Sequence, residues 1–209
     1  MPLIVDKKVR EHIQLGIWQM NEPIPKLREN VRLTHDEEEV LAGFKSERRQ
    51  MEWLTARKLV QHYIGAETQI GYFESGKPHL KGPNPHISIS HSGNLTALLF
   101  NKNAATGIDI QRVSDKVLRI KHKFVNDEEW KYVPESDVEM LHIIWGAKEA
   151  LYKIHGDNRV FFKEHLNILP FKNEGSGLLE AELSYPGIEC HYQLRFEKIE
   201  DYIMVYITD

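Results

Sequence analysis

The stretch from Ser136 to Gly156, SDVEMLHIIWGAKEALYKIHG, limits what this chain can become more than any other. At helical periodicity Met140, Ile143, Ile144, Ala147, Leu151 and Ile154 line up as one apolar stripe, which has to be buried against a partner layer. Ser136 and Glu139 have capping-box spacing at its start, and Gly156 supplies a stop. Nearly opposite the stripe lies Glu149, with Trp145 four residues before it, Tyr152 three after and Lys153 one turn along. A Glu to Lys pair at this spacing commonly serves only helix stability on a solvated face. The rings argue otherwise, because Trp145 and Tyr152 are costly to leave in water. The second face should therefore meet another surface, either the other half of the chain or a ligand.

The layers available to this helix follow from the rest of the chain. LGIWQM reads as a first strand and NEPIPKLREN as a loop. A helix is expected from Thr34, which has capping-box spacing to Glu37 ahead of Val40, Leu41 and Phe44. SERRQMEWLTARKLVQHYIG gives a second helix with Gly65 as its stop. ETQIGYFE, HISIS, LTALLF and TGIDIQ read as strands bounded by turn residues, KVLRIKHKFVNDEEWKYV as helical, and LLEAELSY, CHYQLRFEK and YIMVYIT as an antiparallel meander. Helices followed by strands thus occur twice, which predicts an α+β protein of two similar halves, 1–103 and 104–209. No flexible linker separates them, so the halves should pack as one body.

Bulk properties exclude more than they suggest. A length of 209 residues can bury a core without a metal to hold it, and a net charge of −4 gives no general affinity for nucleic acid. Cys190 is the only cysteine, which rules out a disulfide framework and a cysteine-rich zinc site. Eleven histidines form no HExxH pair. The start, MPLIVDKKVREHIQLGIWQM, has no apolar h-region, and nowhere do about 18 apolar residues run together. A cytoplasmic monomer without membrane partners is expected.

Two further stretches carry chemistry. In TGIDIQ, strand alternation sends Ile108 and Ile110 one way and Gly107, Asp109 and Gln111 the other, so two oxygen-bearing side chains share a face. With a carboxylate from a nearby helix they would make a hard oxygen set suited to Mg²⁺. In ISISHSGN, Ser88 and Ser90 should point outward from a strand ending at His91, where hydroxyls, an imidazole and turn amides can hold phosphate oxygens.

Together with GKP at Gly76–Pro78, these stretches resemble the 4′-phosphopantetheinyl transferases, in particular the longer type built of two halves. That family reads G-[IV]-D-[IV]-E, then some forty residues later W-[ST]-x-K-E-[AS]-x-x-K; the same positions here read GIDIQ and WGAKEALYK. Gln111 stands where the family usually has Glu, and Gly146 where it usually has Ser or Thr. The resemblance implies a pseudo-dimer of two α+β halves with coenzyme A in the cleft between them, and the second face of the 136–156 helix looking across that cleft. It further implies Mg²⁺ held by Asp109, Gln111 and Glu149, phosphate contacts from Lys153, His91 and Ser90, and a 3′-phosphate site made by Lys77 with Arg49 or, alternatively, Arg57. The reaction implied is attack by a carrier-protein serine on the β-phosphate of coenzyme A. Asp109 and Lys153 would serve the charged centre, and Glu149 would accept the serine proton. KVLRIKHKFV follows the metal strand closely, and with Arg119, Lys123 and Phe124 it is the expected contact for an acidic apo carrier protein of the acyl, polyketide or peptidyl kind.

Overall fold

The computed structural model describes residues 2–82, 85–156 and 159–209. The chain divides into two compact units, Met1–Ala104 and Ala105–Asp209.

The first unit begins one strand earlier than the sequence suggested. β1 (Leu3–Arg10) pairs antiparallel with β2 (Ile13–Gln19), and LGIWQM belongs to the second of these. β1 alternates half-buried and exposed positions, but Asp6, Lys7, Lys8 and Arg10 dilute that period in the sequence. The segment read as a loop contains a short helix, α1 (Ile24–Arg28), with a proline in its first turn, where a missing N–H costs nothing, and Leu27 buried. α2 (His35–Gly43) has the expected capping box: Thr34 Oγ accepts the Glu37 N–H, and the Glu37 side chain accepts the Thr34 N–H. α3 (Glu47–Tyr63) ends just before Gly65, whose φ of 143° suits glycine alone. A small hairpin of β3 (Ile70–Tyr72) and β4 (Pro78–Leu80) follows, then β5 (His86–Ser92) and β6 (Leu95–Asn101). The main sheet has the order β1-β2-β6-β5, and α3 packs over β2 and β6 around Trp18, Leu54, Leu59 and Leu98.

The second unit also opens with a strand, β7 (Ile108–Arg112), ahead of its helices, as TGIDIQ suggested. α4 (Lys116–Ile120), α5 (Val138–His155) and α6 (Phe162–His165) lead into β8 (Leu166–Ile168), β9 (Ser176–Tyr185), β10 (Ile188–Ile199) and β11 (Tyr202–Ile207). The antiparallel sheet has the order β7-β11-β10-β9-β8, and β9 to β11 form the expected meander. In each unit the strand that precedes the longest helix lies beside the last strand of the unit, and the helix covers that pair: β2 and β6 under α3, β7 and β11 under α5.

α5 buries Met140, Ile143, Ile144, Ala147 and Leu151, with Ile154 packed at the edge of the same cluster. Each large side chain buried here contributes about 1.5–3 kcal/mol of transfer free energy. Its cap is Asp137 rather than Ser136: the Asp137 carboxylate accepts the Met140 N–H at 3.0 Å, while Glu139 turns to Lys198 and Asn173. Gly156 ends the helix at φ 62°.

The stretch 116–133, expected to be helical, is helical only over α4, with single 3₁₀ turns at Lys121–Lys123 and Glu129–Lys131. The reason is side-chain competition for the backbone. Lys148 Nζ donates to the Phe124 carbonyl at 2.6 Å, and Asn126 Oδ1 accepts the Glu129 N–H at 2.8 Å, so these groups are taken by partners a continuing helix would not offer.

Candidate functional site

Strand alternation in β7 places Asp109 and Gln111 on one face, in register with Val205 and Ile203 of β11. Both of those belong to the core beneath α5, so this is the face that the helix covers. Two glycines let strand and helix approach. A Cβ on Gly107 would lie 1.9 Å from the Ala150 carbonyl oxygen, so no other residue fits without moving α5 away from the strand. A Cβ on Gly146 would lie 3.0 Å from Val205 Cγ2 and 3.8 Å from Asp109 Oδ2.

The polar groups of this seam form one network. Lys153 Nζ donates to Asp109 Oδ1 at 2.8 Å and to the Ile108 carbonyl at 2.7 Å. Gln111 Nε2 donates to Asp109 Oδ2 at 3.0 Å. Asp109 is 2 % exposed. Glu149 is half-buried, and its carboxyl is pushed up to about 7, first by burial and then by the charge of Asp109, with Lys153 opposing. A half-buried carboxyl group whose ionisation is opposed by burial and by a neighbouring carboxylate, with one amine beside it, is short of positive charge. That is what a divalent cation supplies, and carboxylates are donors of the hard kind. The residues therefore fit Mg²⁺. Among the described residues no cluster of three or more His, Cys, Asp or Glu side chains could hold a metal, so any such site here relies on fewer protein carboxylates, with water and phosphate completing it.

The structure separates residues that the helix pattern had placed on one surface. Positions four apart on a helix step round by about 40°. Gly146, Glu149, Ala150 and Lys153 lie towards β7, whereas Trp145 and Tyr152 are covered within their own unit. Trp145 packs against Phe124 and Phe162 at ring separations of 4.9 and 5.4 Å, and Tyr152 against Phe162 at 5.7 Å. The expectation that these rings share one surface with Glu149 is thus corrected. Phe124 is fully buried, so it is a core residue and not the surface contact the sequence suggested, while Arg119 and Lys123 are exposed. Lys123 borders a groove of about 660 Å³ with an apolar wall of Ile120, Trp145, Phe161 and Phe162.

The first unit holds the remaining candidates. Arg57 is 3 % exposed, bound to Glu37 at 2.8 Å and stacked on Trp53, so it braces α2 against α3. Arg49, in the first turn of α3, is exposed beside Glu52. Lys77 is half-buried in the β3–β4 hairpin, and burial holds its amine below the ordinary lysine range. Ser90 and His91 lie in β5, but Ser88 and Ser90 are buried at 3 % and 6 % exposure, against the expectation that they point outward.

One pair with a clear structural part went unread in the sequence. Lys148 and Glu129 are both fully buried and joined at 2.8 Å. Lys148 Nζ also donates to the carbonyls of Phe124 and Phe162, at 2.6 and 3.0 Å. Glu129 accepts the N–H groups of Asn126 and Ile168, each at 2.9 Å. The pair ties the segments on both sides of the groove to the helix that carries Glu149. A signal existed: Lys148 falls seven residues after Leu141 and four after Ile144, at the border of the apolar stripe.

A family model described as the 4′-phosphopantetheinyl transferase superfamily matches residues 105–207. The chain is 30% identical over 115 residues to a protein named 4′-phosphopantetheinyl transferase AcpT in Escherichia coli O157:H7 and in Escherichia coli strain K12, covering 52% of this chain and 59% of each relative. A protein of the same name in Salmonella typhi is 29% identical over 115 residues, covering 52% of this chain and 60% of its own length. The match therefore spans less than two thirds of these relatives.

Proposed function

Through residues 105–207 the chain belongs to the 4′-phosphopantetheinyl transferase superfamily, and from that membership we propose that it moves 4′-phosphopantetheine from coenzyme A to a serine of an apo carrier protein, with 3′,5′-ADP as the leaving product. The observation that carries this reading is the seam of Asp109, Gln111, Glu149 and Lys153, where two carboxyl groups and an amine converge on one edge of the sheet.

Asp109 and Glu149 would hold Mg²⁺, whose chemistry is to offset charge on the phosphate oxygens and orient them for in-line displacement. Lys153 fixes Asp109 with one N–H and the Ile108 carbonyl with another, and its third donor can reach a phosphate oxygen. Glu149, beside the metal, would accept the serine proton directly or through water. In this reading Lys77 and Arg49 take the 3′-phosphate, Arg57 being committed to Glu37, and Ser90 and His91 take pyrophosphate oxygens. The groove beside Trp145, with its apolar wall and with His122, Lys123 and Lys163 on its margin, suits an acidic helical carrier. No helix among the described residues is long and apolar enough to cross a membrane.

The test is incubation with coenzyme A, Mg²⁺ and a panel of apo acyl, peptidyl and polyketide carriers, read by intact mass. Addition of one phosphopantetheine to a carrier serine is the expected result. Absence of any addition across the panel, while coenzyme A still binds, would mark the chain as a binding relative without transfer.

A further inference from the structure

We propose that Gln111 serves the seam as the hydrogen-bond donor that fixes Asp109, and not as a ligand of the metal. The proposal rests on the reading of this seam as a cation site, but its first observation is independent of any cation. Gln111 Nε2 lies 3.0 Å from Asp109 Oδ2. An ionised carboxylate only accepts, so the amide end facing it is the N–H end, and the amide oxygen is turned away from the carboxylate it would have to join around a metal.

The helix side gives the second observation. Asp109 Oδ1 is held from α5 by Lys153, whereas the residue of α5 that overlooks Oδ2 is Gly146. An ideal Cβ there would sit 3.8 Å from Oδ2, within reach of a hydroxyl one bond further on, but glycine has none. The donor that a serine or threonine at 146 could give to Oδ2 from the helix comes instead from the strand. Gln at 111 and Gly at 146 are thus one arrangement: with a carboxylate at 111 and no hydroxyl at 146, Oδ2 would face a like charge and have neither of these two donors. Gln111 acts through Asp109, which makes it a positioning residue.

The experiment uses the full chain and two readouts that need no transfer activity: the thermal midpoint in EDTA, and Mn²⁺ binding followed by electron paramagnetic resonance. Gln111→Leu removes the donor and should lower the metal-free midpoint by about 3 °C or more, because a buried carboxylate loses a charge-assisted bond. The same variant should weaken Mn²⁺ about tenfold or more, the usual scale for losing a group that orients a ligand. Gly146→Ser added to Gln111→Leu should restore both, since the serine hydroxyl takes over at Oδ2. The serine must also fit against Val205, at 3.0 Å from its Cβ, so Gln111→Glu is the arm that does not depend on that fit. If Gln111 faces Asp109, the metal-free midpoint of Gln111→Glu falls further than that of Gln111→Leu. A metal-free midpoint unchanged in both Gln111→Leu and Gln111→Glu, with Mn²⁺ binding weakened only in the former, would make Gln111 a ligand and overturn the proposal. If Mn²⁺ does not bind the unaltered protein, the cation reading fails, while the metal-free midpoints still decide whether Gln111 holds Asp109.

Discussion

Replacing Lys148 by Met is the most informative single perturbation of this molecule. The methionine fills much the same space, so the change removes an ammonium group with little loss of volume. What remains is Glu129, fully buried, still accepting from the N–H groups of Asn126 and Ile168 but without its cation, together with the Phe124 and Phe162 carbonyls deprived of their Lys148 donor. Breaking one side of such a pair costs about 3–5 kcal/mol, which is a large part of the roughly 5–15 kcal/mol that holds an ordinary domain together. Glu129→Gln should cost less, because the amide can still accept one of the two N–H groups. In Lys148→Met with Glu129→Leu no charge is stranded, so the double variant should be more stable than the sum of its two single changes predicts, by about 1.5 kcal/mol or more. Urea unfolding followed by tryptophan fluorescence gives these numbers, since Trp130 and Trp145 both pack on the core of the second unit. Additive losses, or a loss below about 1 kcal/mol for Lys148→Met, would refute the view that this pair clamps the groove segments to α5.

Three further outcomes are expected. Arg119→Glu with Lys123→Glu, both exposed, should raise KM for the carrier several-fold at low salt and leave KM for coenzyme A unchanged; equal KM values would place the carrier elsewhere. Arg57→Ala should lower the thermal midpoint by several degrees through loss of the Glu37 bond and the Trp53 stack, whereas Arg49→Ala should leave the midpoint alone and raise KM for coenzyme A; the reverse pattern would return Arg57 to the nucleotide site. His142 is buried with Nε2 2.9 Å from the Ser114 N–H, and burial holds its pKa below the ordinary value. The unfolded chain therefore binds a proton near pH 6.5 that the folded chain refuses. Stability from this group is complete above that pH and declines as pH falls below it. His142→Gln should flatten the dependence of the urea midpoint between about pH 7 and pH 5, and an unchanged slope would remove His142 as its source.

Local rules sufficed where a feature lies within a few residues of its cause. The Thr34–Glu37 box, the stops at Gly65 and Gly156, the apolar stripe of α5 and the alternation that sets Asp109 and Gln111 on one face all depend on spacing along the chain, and all were legible from it. Asp137 replaced Ser136 as the cap because neighbouring cap residues compete over one turn and only the final backbone path chooses. β1 was missed because its charged residues blur an alternation that is only half-buried. What only the tertiary structure decided are the pairings across tens of residues. Lys148 holds Phe124 and Glu129 and thereby interrupts a helix that the pattern over 116–133 had promised. Phe124 and Phe162 close over Trp145, so the face that was to look outward is partly spent within its own unit. Arg57 is taken by Glu37, twenty residues away, and Gln111 presents its nitrogen, not its oxygen, to Asp109. Residue type and spacing determine which groups can ionise, donate or pack; which partner each one meets depends on where other elements bring their own donors, carbonyls and rings, and that is a property of the folded chain.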